Sequence, residues 1–92
     1  MTIVTLRYWA AAKEAAGIAE ETVTAGTLAE ALAAARGHAG HGADAGQDSR
    51  LRAILARSSF LIDGIPAGTR APESVVLGEA AVIEVLPPFA GG

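Results

Sequence analysis

The chain has 92 residues, which is enough for one domain and too few for a second hydrophobic core. It contains no cysteine, which excludes a disulfide framework, a cysteine nucleophile and a thiolate metal site. A net charge of -3 argues against nucleic acid as the main partner, and no apolar run reaches the roughly 18 residues of a membrane span, so we expect a soluble, cytoplasmic protein.

The N-terminal segment alternates between strand-forming and helix-forming residues. Residues 2–9 are rich in β-branched and aromatic side chains and predict a strand. Residues 10–16 are strong helix formers, and Gly17 predicts a left-handed cap at the end of that helix. The Thr-Val-Thr core of residues 20–24 then predicts a short second strand.

A capping box marks the start of the principal helix, which we predict over residues 27–36. Thr27 accepts from the backbone of Glu30, while the Glu30 carboxylate reaches back to the amide of Thr27. Arg36 and Gly37 are typical of a helix end. The apolar positions fall on one face at helical spacing: Leu28, Ala31, Leu32 and Ala35.

The Gly-rich, aperiodic residues 37–48 predict a loop. His38 and His41 lie three apart there, with Asp44 and Asp48 nearby, but no third metal ligand has a fixed position, so we interpret them as solvated side chains. A short amphipathic helix follows, with Leu51, Ile54 and Leu55 on its apolar face and Asp48 or Ser49 as its cap. We interpret the arginines that flank this helix as a solvated face: Arg50, Arg52 and Arg57.

The C-terminal third predicts two or three strands. Residues 59–63 predict a strand, Asp63-Gly64 a turn and nothing more, and Ile65 the start of a brief return strand. Residues 72–78 predict an irregular segment or one helical turn. Residues 81–86 are apolar except for Glu84, which is typical of a central strand buried on most of both faces.

This order of elements predicts an α+β fold in which a mixed sheet wraps over one principal helix. The first and last strands then lie side by side at the centre of the sheet. Tyr8 and Trp9 end the first strand; we interpret both as core residues, with a place at a partner surface as the alternative for one of them.

A proline pair ends the last strand, because Pro87 and Pro88 have no amide donor for the ladder. The six residues from 87 to 92 reach roughly 20 Å when extended. Gly91 and Gly92 carry no Cβ, so this tail fits a narrow channel and presents its terminal carboxylate to another protein. The alternative interpretation is a frayed end without function.

Two segments resemble the MoaD/ThiS family of sulfur carriers, which are relatives of ubiquitin with the β-grasp fold. LPPFAGG (residues 86–92) after a VIEV strand is similar to the family's C-terminus. VTLRYWAAAKEAAG (residues 4–17) is similar to the MoaD branch, the small subunit of molybdopterin synthase. The resemblance implies a β-grasp domain over residues 1–86 and a projecting tail over residues 87–92.

The resemblance also implies a chemistry for the tail. Gly92 is adenylated by a ubiquitin-activating-type enzyme that uses ATP, and its carboxylate becomes a thiocarboxylate. The tail then enters the large subunit of molybdopterin synthase and donates sulfur to the pterin precursor. We expect the chain to bind no cofactor tightly and not to be catalytic alone. The implied functional positions are Gly91 and Gly92, with the partner-binding residues Pro87, Pro88, Phe89 and Ala90.

Three alternatives stay open from the sequence. The same carrier chemistry serves thiamine, cysteine or tRNA thiolation pathways. An activated Gly92 also suits a ubiquitin-like modifier that forms isopeptide bonds with lysines. The third alternative is a plain binding module with an idle tail.

Overall fold

A computed structural model describes residues 2–36 and 45–88, with the backbone alone for residues 45–49. Its elements in chain order are β1 (Thr2–Tyr8), α1 (Ala10–Ala16), β2 (Glu20–Ala25), α2 (Leu28–Ala34), α3 (Ala45–Leu55), β3 (Ser59–Ile62), β4 (Ile65–Pro66), a 3-10 turn (Pro72–Ser74) and β5 (Val82–Leu86).

The strands form one mixed sheet of five, in the order β2-β1-β5-β3-β4. β5 lies at its centre and runs parallel to β1, while the other neighbouring strands pair antiparallel. This arrangement confirms the predicted α+β class and the predicted pairing of the first and last strands. A tight hairpin joins β3 to β4, whereas α1 lies between the antiparallel strands β1 and β2. The parallel pair of β1 and β5 needs a long crossover, which includes the helices.

The helices cover one face of the sheet, which we call the covered face. Its side chains on the two central strands are buried: Val4, Leu6, Tyr8, Ile83 and Val85. Burial alternates along β5, so the prediction that this strand is buried on most of both faces was wrong. The residues between the buried ones, Val82, Glu84 and Leu86, are only half-buried, because none of the helices in residues 2–36 and 45–88 packs on their side of the sheet.

The predicted caps of the first two helices are confirmed. Gly17 adopts the left-handed conformation with φ 76°, and its N–H donates to the carbonyl of Lys13. Thr27 and Glu30 form the complete capping box at the start of α2. α2 ends at Ala34, two residues before the predicted end at Arg36, because Ala35 is already extended with ψ 126°. Gly37 lies outside the described residues.

The third helix is longer than the sequence indicated. α3 begins at Ala45, so the predicted loop was wrong for residues 45–48, and Asp48 and Ser49 lie inside the helix instead of capping it. Ala45 and Gln47 tolerate a helix well, and a single glycine costs only about 1 kcal/mol there. Burial of Leu51, Ile54 and Leu55 outweighs that cost. With 11 residues α3, not α2, is the longest helix of the described residues.

The Asp63-Gly64 turn joins β3 to β4 as predicted, with φ of 51° and 83° at its two residues. Positive φ at both positions is typical of a type I′ hairpin. Asp63 does more than turn the chain, since its carboxylate accepts from the Val82 N–H at 3.0 Å and its own N–H donates to the Val82 carbonyl. The turn thereby fixes the start of β5.

In the described part of the chain, no helix is long and apolar enough to cross a membrane.

Candidate functional site at the end of the central strands

The parallel pairing of β1 and β5 brings their C-terminal ends to the same edge of the sheet. Tyr8 lies opposite Val85, and the N–H of Trp9 donates to the Val85 carbonyl at 3.3 Å. Trp9 therefore lies beside the point where the chain leaves β5 at Pro87 and Pro88. We call Trp9, Pro87 and Pro88 the tail root.

The two prolines of the tail root differ in burial: Pro87 is buried and Pro88 is exposed. Pro87 thus anchors the chain to the domain, and the next residue already faces solvent. Neither proline can donate to a neighbouring strand, so the sheet ladder ends here. The other predicted site residues lie outside the described residues: Phe89, Ala90, Gly91 and Gly92.

Tyr8 and Trp9 point in opposite directions. Tyr8 is buried, as predicted, whereas Trp9 is 43% exposed, so the prediction of a core position for Trp9 was wrong. Successive side chains of an extended chain face opposite sides, and Trp9 still has extended dihedrals as the cap of α1. The Arg7 guanidinium lies 5.4 Å from the centre of the Trp9 ring, a cation–π distance that helps to orient the indole.

The Tyr8 hydroxyl is the polar end of the covered face. It donates a hydrogen bond to the Glu21 carboxylate, which also accepts from the backbone N–H of Arg36 at 3.1 Å. Burial, followed by the hydrogen bond and the negative charge of Glu21, raises the pKa of Tyr8, and the positive charge of Arg52 opposes that rise. Tyr8 is therefore a neutral donor that ties β1 to β2 and to the chain after α2.

Arg52 is the structural residue that sequence reasoning missed. Its guanidinium donates to the carbonyls of Leu32, Ala33 and Ala35 at the end of α2, where the last carbonyls of a helix lack the regular helical partners. The interpretation of Arg52 as a solvated residue was wrong, while Arg50 and Arg57 are exposed as expected. The sequence did contain one indication of this contact. Three consecutive alanines end α2, so no side chain there can cap the last carbonyls, and a donor from elsewhere in the chain is needed.

The side of the sheet opposite the helices, which we call the open face, adjoins the tail root. On β1 it presents Ile3, Thr5 and Arg7, and on β5 it presents Val82, Glu84 and Leu86. Ile3 is 65% exposed. Arg7 and Glu84 lie opposite each other in the register. The open face therefore combines apolar surface with two opposite charges next to the place where the tail leaves.

The described residues contain no cluster of three or more His, Asp or Glu side chains that suits a metal ion. His38 and His41 lie outside the described residues. The tail root and the open face together place the end of the central strand beside a partly exposed surface.

No protein-family model and no curated protein matches the sequence. Several solved structures are similar to this chain in fold. The small archaeal modifier protein 1 from Methanosarcina acetivorans is 19% identical with a TM-score of 0.76, over 100% of this chain and 98% of that chain. The protein of the same name from Haloferax volcanii is 19% identical with a TM-score of 0.72, over 98% and 99% of the two chains.

A third similar structure is the complex of subunits 1 and 2 of molybdopterin-converting factor from Helicobacter pylori. The match is 20% identical with a TM-score of 0.62, over 99% of this chain and 100% of that chain. These likenesses confirm the ubiquitin-like β-grasp fold that the sequence predicted.

Proposed function

We propose that this protein carries sulfur as a thiocarboxylate on the C-terminal carboxyl group of Gly92 and donates it in molybdopterin synthesis. The fold supports the proposal because it is shared with subunit 1 of a molybdopterin-converting factor. The sequence supports it because no cysteine is present, so no side-chain thiol of this chain can carry a persulfide. The terminal carboxyl group remains as the carrier.

The observation that carries the proposal is the construction of the tail root. β5 is the central strand of the sheet, and it passes directly into a buried Pro87 and an exposed Pro88. A tail that starts from the central strand of the sheet has a fixed origin. Fixing the origin lowers the entropy that a partner's active site must remove when it binds the tail.

The proposed chemistry needs a partner at both steps. An adenylating enzyme of the ubiquitin-activating type spends ATP to convert the Gly92 carboxylate into an acyl adenylate, which is a good acyl donor. Hydrosulfide, or a sulfur donor that delivers sulfur at that oxidation level, then attacks the acyl carbon. The bond to the phosphate oxygen breaks, AMP leaves with the electron pair, and the thiocarboxylate remains. This chain supplies the carboxyl group and its presentation, ATP belongs to the partner, and we place both steps in the cytoplasm.

The large subunit of molybdopterin synthase is the proposed second partner. We assign its contact to the tail root and the adjoining open face, with Phe89, Ala90, Gly91 and Gly92 entering its active site. The exposed Trp9 suits such a contact, since tryptophan is enriched among the residues that dominate binding energy. The opposed charges of Arg7 and Glu84 suit the orientation of a partner more than the strength of binding.

The test is the intact mass of the protein after incubation with an adenylating enzyme, ATP and a sulfur donor. The chain used ends at Gly92. We expect its mass to increase by the difference between one sulfur atom and one oxygen atom. Deletion of Gly92 abolishes the increase, and Arg57→Ala, at an exposed position after α3, retains it. An unchanged mass for the parent protein with an enzyme that loads another carrier would refute the proposal.

The pathway has its own test. Cells that lack the protein are expected to lose molybdoenzyme activity and recover it with the parent chain but not with the Gly92 deletion. If molybdoenzyme activity is intact while thiamine, cysteine or thiolated tRNA is lost, the carrier chemistry stands and belongs to that other pathway.

A second candidate function is a ubiquitin-like modifier. The likeness to two small archaeal modifier proteins favours it, and an acyl adenylate at Gly92 serves both routes. Conjugates to other proteins on a denaturing gel, lost when Gly92 is deleted, would select this function over sulfur transfer.

A further inference from the structure

The chain holds a single side-chain amine. Its seven Lys and Arg residues comprise six arginines and Lys13, and it has no cysteine. A deprotonated lysine amine is a good nucleophile toward an activated acyl group. An arginine guanidinium stays protonated and does not compete. Lys13 is therefore the only side chain of this sequence able to form a stable acyl bond of the isopeptide type.

Lys13 occupies a rigid and accessible position. It is exposed on α1, while Ala12, Ala15 and Ala16 form the buried face of the same helix. The backbone around it is fixed, because the Lys13 N–H donates to the Trp9 carbonyl at 3.3 Å and the Lys13 carbonyl accepts from Gly17 at 2.9 Å. The amine thus has a fixed base, one turn of helix away from the tail root.

Two adjoining clefts meet at Lys13. One has a volume of about 380 Å³ and is lined by Ala10, Glu14, Gly17, Ile18 and Ala19. The other has about 210 Å³ and runs past Arg7, Tyr8, Trp9, Ala19 and Glu20. Half of the residues that line the larger cleft are small, namely Ala10, Gly17 and Ala19, which leaves room for an extended backbone without Cβ atoms. A Gly-Gly segment is such a backbone.

We propose that Lys13 is an isopeptide acceptor for the activated Gly92 of a second copy, so that copies of this protein join through Gly92 and Lys13. The proposal rests on the adenylation of Gly92 proposed above. The Gly91-Gly92 segment of the donor copy occupies these clefts, of which Glu14 lines the larger and Glu20 the smaller.

The transfer of the Gly92 acyl group to Lys13 needs no oxidant or reductant. The neutral Nζ of Lys13 attacks the acyl carbon of the Gly92 adenylate, and a C–N bond forms. The C–O bond to the phosphate breaks, and AMP leaves with the electron pair. The proton of the attacking nitrogen passes to solvent or to a neighbouring glutamate, and ATP in the preceding adenylation supplies the free energy.

The experiment compares three chains: the parent, Lys13→Arg, and Lys13→Arg combined with Arg50→Lys, which moves the lone lysine to an exposed position on α3. Each is incubated with an adenylating enzyme and ATP without a sulfur donor. In a second arm each is prepared with Gly92 as a C-terminal thioester, which needs no enzyme. Dimers are measured on a denaturing gel, and the linked residues by peptide mass spectrometry.

We expect a Gly92–Lys13 linked dimer from the parent in both arms, and at least about tenfold less from the two variants, because only the native position benefits from the adjoining clefts. Equal dimer yields from the Arg50→Lys chain would overturn the assignment of a site. A monomer that has lost one water, without dimer, would place the bond within one molecule and overturn the second-copy acceptor.

The two arms separate this proposal from the one it rests on. Thioester chains that link at Lys13 while the enzyme leaves Gly92 untouched would support the acceptor site and count against enzymatic activation. A thiocarboxylate that forms readily with a sulfur donor, with no dimer in either arm, would overturn the acceptor site and leave sulfur transfer standing.

Discussion

On the covered face of the sheet, Leu6 of β1 and Ile83 of β5 are fully buried beneath the helices, whereas on the open face Ile3 and Arg7 of β1 are exposed. The two faces share a backbone, and their side chains alternate along it. The side chains of the covered face stabilise the domain, while those of the open face contribute little to its stability and are available for contact with a partner. Substitutions on the two faces are therefore expected to separate stability from function.

The largest difference between the faces is expected for isoleucine truncation. Ile83→Ala leaves a cavity in the core and is expected to lower the free energy of unfolding by about 3 kcal/mol. Ile3→Ala on the open face is expected to cost less than about 1 kcal/mol, since Ile3 already contacts water. Urea unfolding of both variants measures the difference. Similar losses would mean that the open face is covered in solution.

The next largest effect is expected for the hydrogen bonds from Arg52 on α3 to the end of α2. Arg52→Ala is expected to lower the free energy of unfolding by about 2 kcal/mol, because three carbonyls at the end of α2 lose a charged donor. Arg50→Ala on the same helix is the control and is expected to cost less than about 0.5 kcal/mol. Equal effects of the two substitutions would show that water replaces the Arg52 guanidinium as the hydrogen-bond donor to these carbonyls.

A smaller effect, with a distinctive pH dependence, is expected at Tyr8. Tyr8→Phe removes the hydrogen bond to Glu21 and is expected to cost about 1 kcal/mol near neutral pH. The pKa of Tyr8 is raised in the folded state, so below about pH 10 the phenol is protonated in both states and its contribution is complete. Above about pH 10 the unfolded state releases the proton first, and stability falls as pH rises.

Urea unfolding between pH 8 and pH 11 is the measurement for Tyr8. The advantage of the parent over Tyr8→Phe should shrink by up to about 1.4 kcal/mol for each pH unit above pH 10. The Tyr8→Phe chain corrects for other groups that titrate there. Because Tyr8 is the single tyrosine, tyrosinate absorbance reports its ionisation directly. A constant difference across this range would contradict the raised pKa.

The smallest effect on stability is expected at the tail root. Trp9→Ala removes a half-exposed indole and its contact with Arg7, and is expected to cost about 1 kcal/mol or less. We nevertheless expect slower sulfur loading of Gly92 and weaker binding to the adenylating enzyme or the large subunit, with Trp9→Phe between the two. Unchanged loading by Trp9→Ala would exclude the indole from the partner contact.

Local signals in the sequence predicted most of the fold. Thr27 and Glu30, Gly17, and the Asp63-Gly64 pair each fix a boundary through contacts within a few residues, and all three boundaries are confirmed. The apolar run of β5 placed it at the centre of the sheet. Its half-buried second face was not predictable from the run, because Val82 and Leu86 look the same in sequence whether or not a helix covers them.

Features that depend on distant parts of the chain escaped prediction. Arg52 stabilises carbonyls some twenty residues earlier in the chain, and no local pattern indicates that contact. The length of α3 is supported by the burial of Leu51, Ile54 and Leu55 against other parts of the chain, which no local pattern at its start indicates. Trp9 sits one residue beyond β1, where side-chain direction follows from the cap of α1. The tail residues that carry the proposed chemistry remain a prediction from the sequence.

The parallel pairing of β1 with β5 also has a kinetic consequence. Thr5 pairs with Val82, so the central ladder joins segments separated by most of the chain. Contacts of such long range raise the contact order and slow folding, because the loop between the strands must close before the contacts form. We therefore expect β5 to dock late, after the intervening elements have collapsed. A partner that binds the tail root in effect selects molecules that have finished folding, and a misfolded chain offers it no fixed tail to modify.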